Sequence, residues 1–510
     1  MSGRTTNTGW LLELADITQR CAVKPIHAQD VDHALNAAEQ RFDKCWSYLV
    51  AIKRGQFSED NIAPFTEFQP LLATALFELS LLHGKISIER QDRIGRKSDF
   101  SSTWFSGRMA FLDRQQQRLI SAIHIGRSIG DAFAWFFYQS EREFLRQHMQ
   151  EPKLDVMSTG TGGIGELETA RYVPMLGEYL VLHHCTTGML RLGDITLINL
   201  DGMRVAGIGE LKSHSDQPGR VVVSMSVLGD GPKVKLAHSN DLDTPPSELP
   251  DVMDRLTAKA RERLQRQMKR IQDTHEVARK EPDAKHSLEM EDNMSSLAKL
   301  LRSASSERLS TARVGRSLLM FSYGLRPAPL AKRLSGPSKT SGSKKFLRQI
   351  DSLLSRVTEI MVPERGDNSA IIGSFYYNEE GAFNYLPGMT HPFWWPIDTR
   401  LLKPLIFKSL IVGSIFNPSW LFKTLEESGF DVDTTDVRRP KITRLEGDAL
   451  FRAEGVWFYF RAIHDYLMGE DAIAHILKLV SESNRIDSSY DQKRVDIRLY
   501  QEFGRPTEKE

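Results

Sequence analysis

Apolar residues recur at helical spacing through the first third of the chain. One such stretch runs from Val31 to Lys53 behind Asp30, which can cap it, and a second, PLLATALFELSLLHG, ends at Gly84. A third begins near Ser106 and continues to about Gln150. Its segment AFAWFFYQSEREFLRQHM carries large apolar residues on several faces, which indicates a helix buried among neighbours. Residues 1–152 are therefore predicted to form a helical N-terminal domain.

The pattern changes to that of β-strands after Pro152. Four runs, EYLVLHHCTT, DITLINL, RVAGIGELKS and RVVVSMSVL, are rich in β-branched residues and are separated by glycine and Asp-Gly turn signals. A strongly charged helical segment follows them, DRLTAKARERLQRQMKRIQDTHEVARK. We assign residues 153–301 to one core that combines these strands with helices.

The last two fifths of the chain divide into a basic segment and a mixed one. Residues 302–348 hold eleven Lys or Arg and one acidic residue, Glu307, and their Pro/Gly/Ser/Lys-rich second half predicts a flexible basic loop or linker. Residues 349–510 alternate strand-like pieces such as AIIGSFYY and VWFYF with helical pieces such as SWLFKTLEESGF and DAIAHILKLVSES. They are predicted to form a mixed α/β domain, to which the sequence assigns no role.

Composition excludes several classes of protein. The 510 residues carry 67 basic and 66 acidic side chains, so the chain is not a globally basic nucleic-acid binder, and its three cysteines cannot build a disulfide framework. Glu13 and Asp16 interrupt the apolar N-terminal run, which argues against a signal peptide. Lysines and prolines break the most apolar C-terminal stretch, 401–422, which argues against a membrane span. We expect a cytoplasmic protein without a membrane partner.

Two glycine motifs match known patterns without their required surroundings. Gly126-Arg127-Ser128-Ile129-Gly130 fits the nucleophile elbow G-x-S-x-G, but helical sequence precedes it where that motif needs a strand. A serine hydrolase using Ser128 is thus a minor alternative, and a helix packed through small residues is preferred. The run 160–165 fits G-x-G-x-x-G, but the unit is too short for a βαβ crossover. A glycine loop that opens a short helix is the better interpretation.

Three charged residues stand in strands that are otherwise apolar on both faces. Asp194 begins one strand, and Glu210 and Lys212 lie near the end of the next. Charges buried in such strands without partners would cost several kcal/mol, so they call for a metal ion, a counter-ion or a substrate. The alternative is an edge hairpin whose Glu–Lys pair lies in water.

The turn between the two strands decides whether these charges meet. A two-residue loop would pair Asp194 with Gly209 and place Asp194 and Glu210 on opposite faces, because side chains alternate along a strand. A three-residue loop with Gly202 in the left-handed conformation would instead place Glu210 opposite Leu192. Both carboxylates and the lysine would then share one face, and we expect this arrangement.

This strand–turn–strand context resembles the signature of the PD-(D/E)XK, or restriction-endonuclease-like, nucleases, with Asp194, Glu210 and Lys212 in the signature positions. The resemblance implies an α+β fold with an αβββαβ core, flanked here by the helical N-terminal and mixed C-terminal domains. The helix before the strands often carries a further glutamate, for which Glu166 is the first choice and Glu168 the second.

The resemblance also implies a metal-dependent chemistry. Asp194, Glu210 and the backbone carbonyl of Leu211 would hold Mg²⁺, for which Mn²⁺ can substitute, because hard cations prefer oxygen ligands. Lys212 would orient the attacking water and offset phosphate charge, and Glu166 would hold a second ion or a metal-bound water.

The match to the family has departures and extensions. Gly193 stands where the family usually has proline, and the Q-x-x-x-Y pattern of some members is absent. The charged helix would follow the third strand and could present a glutamine to the substrate. The candidate nucleic-acid-binding residues are Gln265, Gln267, Lys332, Arg333, Lys344 and Lys345.

The function implied by the resemblance is hydrolysis of phosphodiester bonds by an endonuclease, with DNA favoured over RNA because most relatives cut DNA. Defence against foreign DNA is the expected role, and a homodimer is expected because cutting a duplex usually takes two sites. The P-loop motif is absent from the sequence, so any ATP-driven search would need a separate activating or ATPase partner. The main alternative is a catalytically silent nucleic-acid-binding or scaffold protein.

Overall fold

The chain is described here from a computed structural model, which covers most of its predicted elements. The described residues are 23–54, 63–138, 145, 147–148, 156–200, 204–217, 220–229, 236–238, 266, 294–335, 341–361, 372–376, 397–435, 440–446, 449–453 and 469–483. They divide into two compact units, one within Met1–Asp283 and Ala328–Gly336, the other within Ala284–Pro327 and Pro337–Glu510. The helices predicted as a separate N-terminal domain therefore share a unit with the sheet that follows them.

The first unit begins with packed helices, as the apolar spacing predicted. Asp30 does not cap the first of them from outside. It lies in its first turn, where its carboxylate accepts a hydrogen bond from the His27 N–H at 2.8 Å. Phe68 and Phe133 stack at 3.8 Å between ring centroids in the core of this bundle. The helices are α1 (Ala28–Lys53), α2 (Ala63–Thr66), α3 (Phe68–Gly95) and α4 (Ser102–Phe137).

The G-x-S-x-G run lies inside α4, so the strand-to-helix turn of a nucleophile elbow is absent at Ser128. Its glycines serve packing instead. A Cβ on Gly126 would lie 2.7 Å from the Phe42 ring, and one on Gly130 would lie 2.0 Å from the Thr186 carbonyl oxygen. The interpretation of this run as a helix packed through small residues is confirmed.

A six-stranded antiparallel sheet follows the helices in the same unit. It is preceded by α5 (Thr161–Tyr172), which begins directly after Gly160, so the G-x-G-x-x-G run opens a short helix as predicted. The strands pair in chain order, and no described crossover forms a βαβ unit. They are β1 (Met175–Leu176), β2 (Tyr179–His183), β3 (Ile195–Asn199), β4 (Arg204–Gln217), β5 (Arg220–Gly229) and β6 (Leu236–His238).

The α+β class is confirmed. In chain order, α5 is followed by the short strand β1 and then by the antiparallel strands β2, β3 and β4. After β4 the chain continues directly into β5, without an intervening helix. The charged segment beyond the sheet is described only at Arg266, which is helical. Gln69 of α3 connects the bundle to the sheet by two hydrogen bonds. Its Nε2 donates to the Val181 carbonyl at 2.6 Å, and its Oε1 accepts from the His183 N–H at 2.7 Å.

The second unit contains a four-stranded sheet in the order β7-β8-β10-β9 and a three-stranded sheet, β11-β12-β13. Leu319, Phe321, Leu353 and Ile415 form an apolar cluster on the larger sheet. The remaining elements are α6 (Met294–Ser303), β7 (Leu309–Val314), β8 (Leu318–Gly324), α7 (Leu330–Arg333, in the first unit), α8 (Ser341–Met361), β9 (Ile372–Tyr376), α9 (Thr399–Ile406), β10 (Leu410–Phe416), α10 (Pro418–Glu427), β11 (Asp431–Asp433), β12 (Lys441–Glu446), β13 (Ala449–Ala453) and α11 (Glu470–Ser483).

The prediction of a flexible basic linker over 302–348 is wrong. The described part of that segment holds the end of α6, the β7–β8 hairpin, α7 and the start of α8. Its basic residues are numerous, but every residue of β8 is buried, and burial of that apolar strand decides the structure.

One described helical segment, 63–95, is long and apolar enough by composition to cross a membrane. Nearly half of its most apolar window is buried inside the structure, where Leu72, Leu76 and Leu79 are fully covered.

Candidate active site

Asp194 and Glu210 lie next to each other at the end of the β3–β4 pairing. Asp194 directly precedes β3, whose first residue, Ile195, pairs with Gly209. The Asp194 N–H also donates to the Gly209 carbonyl, at 2.8 Å, so the regular ladder ends at this point. Besides burial, the charge of Asp194 and a hydrogen bond between the two side chains raise the pKa of Glu210. The structure thus brings together the two carboxylates that the sequence predicted to meet.

A β-bulge, and not the predicted three-residue loop, sets this register. Next to the turn, Asn199 pairs with Arg204 and Ile198 with Val205, which is the register of the two-residue loop. Leu197 then pairs with Gly207, so Ala206 is an extra residue on β4. Since one added residue reverses the alternation of side chains, the bulge turns Glu210 to the face opposite that of Ile195. The turn residues 201–203 lie outside the described part of the chain.

Gly193 adopts a backbone conformation that is closed to proline. Its φ is +75°, a conformation that proline cannot adopt because its ring fixes φ near −65°. A Cβ at this position would also lie 2.7 Å from the Gly209 carbonyl oxygen. The chain therefore turns into β3 against the backbone of β4, and only glycine fits there.

The charged side chains form a connected group. Asp194 Oδ2 accepts a hydrogen bond from the Leu211 N–H at 2.7 Å, and Lys212 Nζ lies 2.9 Å from Glu210 Oε2. The Glu210 side chain is 3% exposed and that of Lys212 is 26% exposed. Burial, together with the negative charge of Asp194, raises the pKa of Glu210 to about 7. Two carboxylates in this position favour a bound cation, which would relieve their repulsion.

Glu166 belongs to the same electrostatic group. It follows Gly165 on α5, where a Cβ would lie 1.9 Å from Ser213 Oγ, so the helix packs closely on β4. Burial, then the charge of Asp194, raises the pKa of Glu166 to about 8, and the charge of Arg127 opposes the rise. Its carboxyl group is therefore mostly protonated at neutral pH.

Glu168, the second choice for this role, has a different partner. It is buried and pairs with Arg171 at 3.1 Å on the same helix, and Arg171 in turn bonds Thr74 of α3 at 3.3 Å. The structure thus favours Glu166 over Glu168 as the helix-borne glutamate of the site.

Arg127 is the residue of this group that the sequence did not indicate. It lies on α4 and is 6% exposed, and its charge lowers the pKa values of both Glu166 and Cys185. The sequence held one signal for it, an arginine within the apolar run AIHIGRSIGDAFAW. A buried arginine needs an anionic or polar partner, and the residues around it in the sequence do not show which one.

The donor set suits a small hard cation. In the described residues, no group of three or more His, Cys, Asp or Glu is arranged to hold a metal ion. Asp194 and Glu210 supply two carboxylates, and Mg²⁺ commonly takes one or two, completing its shell with water and substrate phosphate. The N–H and C=O of a strand residue face the same neighbouring strand, so the Leu211 carbonyl, like its N–H, faces the side of Asp194. Residues of this chain therefore fit the expected ion.

A buried polar network lies behind the loop that carries Asp194. Tyr138 Oη is 2.7 Å from Thr196 Oγ1 and 3.0 Å from His148 Nε2. His184 Nε2 is 2.7 Å from the same threonine hydroxyl. The network therefore joins the end of α4 to β3 and to the turn after β2.

The two ends of this network hold the residues just before Asp194. His184 Nδ1 is 2.9 Å from the Gly193 carbonyl, which can only accept, so Nδ1 carries the proton and Nε2 accepts from Thr196. At the other end, the Leu192 N–H donates to His148 Nδ1 at 3.1 Å, which leaves His148 Nε2 to donate to the tyrosine. Burial lowers the pKa of His184 to about 3 and that of His148 well below its usual value, so both rings are neutral.

The described candidates for nucleic-acid binding belong to different units of the chain. Arg333 Nη2 pairs with Glu39 Oε1 at 2.8 Å and holds α7 against α1, while Lys332 is exposed beside it. Lys344 and Lys345 are exposed on α8 in the second unit, with Lys345 3.9 Å from Glu307. The other two candidates, Gln265 and Gln267, lie outside the described residues.

No protein family model, curated protein or solved structure matches this chain. The assignment of a function therefore depends on the geometry of the carboxylate site and on the chemistry of its residues.

Proposed function

We propose that the chain is a metal-dependent nuclease that hydrolyses phosphodiester bonds, with DNA as its preferred substrate. The observation that carries the proposal is the hydrogen bond from the Leu211 N–H to Asp194 at 2.7 Å, which holds the aspartate beside Glu210, with Lys212 2.9 Å from the glutamate. An aspartate, a glutamate and a lysine in this order on two adjacent strands, with Glu166 on the preceding helix, are what the resemblance to PD-(D/E)XK nucleases implies.

Three groups of the site would hold the metal ion. Asp194, Glu210 and the Leu211 carbonyl would hold Mg²⁺ or Mn²⁺, and such an ion, when bound, acidifies water and offsets the charge of a phosphate. Asp194 is held in place by the Leu211 N–H, so the aspartate is positioned before any ligand arrives.

Lys212 and Glu166 act on the water and the phosphate. The ammonium group of Lys212 is partly exposed, so it can donate hydrogen bonds to the attacking water and to a phosphate oxygen. Glu166 carries its proton near neutral pH and can donate it in a hydrogen bond, and once ionised it would hold a water of the metal shell.

The biological setting that we propose follows the same hypothesis. A homodimer in the cytoplasm would bring two sites to the two strands of a duplex, and a separate ATPase partner would supply any translocation along DNA. Defence against foreign DNA is a role that suits such an enzyme.

A second candidate function rests on a different feature of the site. The carboxylate of Asp194 is bonded to Leu211, and that of Glu210 is paired with Lys212, so each has a partner without a metal ion. A site satisfied in this way would also suit a protein that binds nucleic acid without cutting it. Such a protein would bind DNA with a strong dependence on salt and leave it intact in every divalent metal.

The test is an incubation of purified protein with plasmid DNA, linear DNA and RNA in Mg²⁺, Mn²⁺ or EDTA. The variants are Asp194→Ala and Lys212→Ala, with Glu178→Gln as the control because Glu178 is an exposed carboxylate in the turn before β2. We expect metal-dependent cutting by the wild type and by the control, and none by the two site variants. Cutting that persists in both site variants, when they are folded, would falsify the assignment of this site.

A further inference from the structure

Helix α8 of the second unit carries basic side chains along one side. The side chains of this helix are described over 344–356, and successive residues of an α-helix turn by roughly 100°. Six exposed residues of this part fall within a sector of about 120° that holds no acidic residue, while Asp351 borders it. These six residues form the basic flank of the helix: Lys344, Lys345, Arg348, Ser352, Ser355 and Arg356.

The other side of α8 is fixed on the four-stranded sheet. Leu353 belongs to the apolar cluster of that sheet, and Ile350 packs against the same cluster. Gln349 joins the helix to the start of β7, since its Oε1 accepts from the Leu309 N–H at 2.8 Å and its Nε2 donates to the Glu307 carbonyl at 3.2 Å. The basic flank therefore lies on a rigid element, and a ligand that binds it does not have to order the backbone first.

The positive charge of the flank is little compensated. Lys345 is 3.9 Å from Glu307, and the other three basic residues of the flank form no ion pair with a described residue. Glu307 is shared with Arg326, which donates to it at 3.0 Å and has a 73% exposed side chain. Arg308 is exposed next to Glu307 as well. Because basic and acidic residues nearly balance over the whole chain, 67 against 66, this surface concentrates cations locally and attracts a polyanion.

We propose that the basic flank binds the sugar–phosphate backbone of duplex DNA without regard to base sequence. Lysine, arginine and serine side chains are groups that proteins commonly use to contact phosphates. The helix rises about 18 Å from Lys344 to Arg356, and duplex DNA carries one charge per about 1.7 Å of its axis, so several phosphates would lie along the flank.

The choice of DNA as the polyanion rests on the proposed function. The inference adds a binding surface in the second unit to a carboxylate site in the first. Binding at this surface requires neither a metal ion nor cleavage, so it can be tested separately from the nuclease activity.

The test measures binding of the full-length protein to a random-sequence DNA duplex in EDTA, at salt concentrations from about 50 to 200 mM. EDTA prevents metal-dependent cutting, so binding is measured whether or not the chain is a nuclease. The main variant combines Lys344→Gln with Arg348→Gln. The control combines Lys423→Gln with Lys441→Gln, which removes the same charge from exposed positions of the same unit.

A second variant combines Lys345→Gln with Arg356→Gln, the other two basic residues of the flank. All four substituted residues are exposed, and thermal unfolding reports whether each variant folds.

We expect the salt dependence of binding to fall in both flank variants. Each phosphate contact contributes about 0.9 to the slope of log K against log salt, so the loss of two contacts should lower the slope by about 1.8. The Kd at the lowest salt concentration should rise by more than about tenfold for the flank variants and by less than about twofold for the control.

Three results would overturn the proposal. A Kd and a salt slope equal to those of the wild type in both folded flank variants would remove the contact from α8. An equal loss of binding in the control would show an effect of net charge alone. A wild-type protein that binds vesicles containing phosphatidylserine but not DNA would assign the flank to a membrane surface.

Failure of the nuclease function gives a different result. A wild-type protein that cuts nothing in any metal, but binds DNA in EDTA and loses that binding in the flank variants, would contradict the proposed nuclease and support the binding surface.

Discussion

The carboxylate of Asp194 accepts a hydrogen bond from the backbone N–H of Leu211 on the neighbouring strand, at 2.7 Å. This contact fixes the aspartate from the strand that also carries Glu210 and Lys212, so the three groups of the site do not depend on a flexible loop for their arrangement. A side chain held by a backbone N–H keeps its position when a substitution removes its charge. Such a substitution at Asp194 therefore tests the role of the charge alone.

Asp194→Asn should fold normally and lose activity. The amide oxygen of asparagine can still accept from Leu211, but the residue no longer brings a negative charge to a cation. We expect the rate of metal-dependent cutting to fall by more than the 10- to 100-fold typical of residues that only support a metal ligand. Initial rates in Mg²⁺ check the prediction, with Glu178→Gln as the control, and an unchanged rate would contradict it.

Gly193→Ala should destabilise the first unit strongly. The substitution forces a side chain into a positive φ and against the Gly209 carbonyl, where its Cβ would lie at 2.7 Å. Gly177→Ala is the matched control, because Gly177 has a φ of +60° but no atom within 4 Å of the added Cβ. The left-handed conformation alone costs about 1–2 kcal/mol. We expect urea unfolding to show that loss for Gly177→Ala and a clearly larger one for Gly193→Ala. Equal losses of unfolding free energy in the two variants would mean that the backbone shifts to remove the contact between the new Cβ and the Gly209 carbonyl.

Tyr138→Phe should reduce both stability and turnover. The variant removes the hydroxyl that bridges Thr196 and His148, and it leaves buried partners unsatisfied at a cost of about 1–3 kcal/mol. Because the network ends on Leu192 and Gly193, we expect kcat to fall while KM changes little. Tyr179→Phe on β2, whose hydroxyl lies outside this network, is the control. A variant that loses stability but keeps the wild-type kcat would show that the network does not position Asp194.

Protonation of the buried histidines should lower the unfolding free energy as the pH falls from 7 to 5. Glu166 and Glu210 act in the opposite direction, because their raised pKa values let the folded chain take up protons in the same range. Burial lowers the pKa of His183 to about 4 and that of His184 to about 3, from an ordinary value of 6.5. Below pH 6.5 the unfolded chain binds protons that the folded one excludes, so stability is complete above that pH and is lost as the pH falls towards the folded values. The loss at pH 5 is about 2 kcal/mol for each histidine.

Urea unfolding across this pH range tests the effect. Between pH 7 and pH 5 the change in unfolding free energy should be about 2 kcal/mol less unfavourable for His184→Asn than for the wild type, because this histidine no longer takes up a proton on unfolding. A pH dependence unaffected by the substitution would show that other groups cause it.

Local sequence patterns predicted most of the helices and strands near the site. The features that they did not predict depend on pairing between strands. The spacing of apolar residues placed α5, β2, β3 and β4 within a few residues of their ends, because such signals belong to one segment at a time. The bulge at Ala206 could not be predicted, since an extra residue on one strand is defined only by the partner strand. The face of Glu210 therefore depends on this bulge, whereas the prediction relied on the length of the turn.

The same distinction explains the errors farther from the site. Arg127 and Glu166 are 39 residues apart in the sequence, and nothing local marks an arginine as the neighbour of a distant carboxylate. In the segment 302–348 the basic composition suggested a linker, but β8 lies buried between β7 and β10, and a strand's partners are not visible in its own sequence.

Because of the bulge at Ala206, the site depends more on the number of residues in the β3–β4 hairpin than on which residues they are. Removing one residue between Asn199 and Glu210 would turn Glu210 and Lys212 to the other side of β4, although every side chain of the site would still be present in the sequence. Removing two would restore their side. Among descendants of this chain, activity would thus be lost or regained through small insertions and deletions in a hairpin, at positions where no residue takes part in the chemistry.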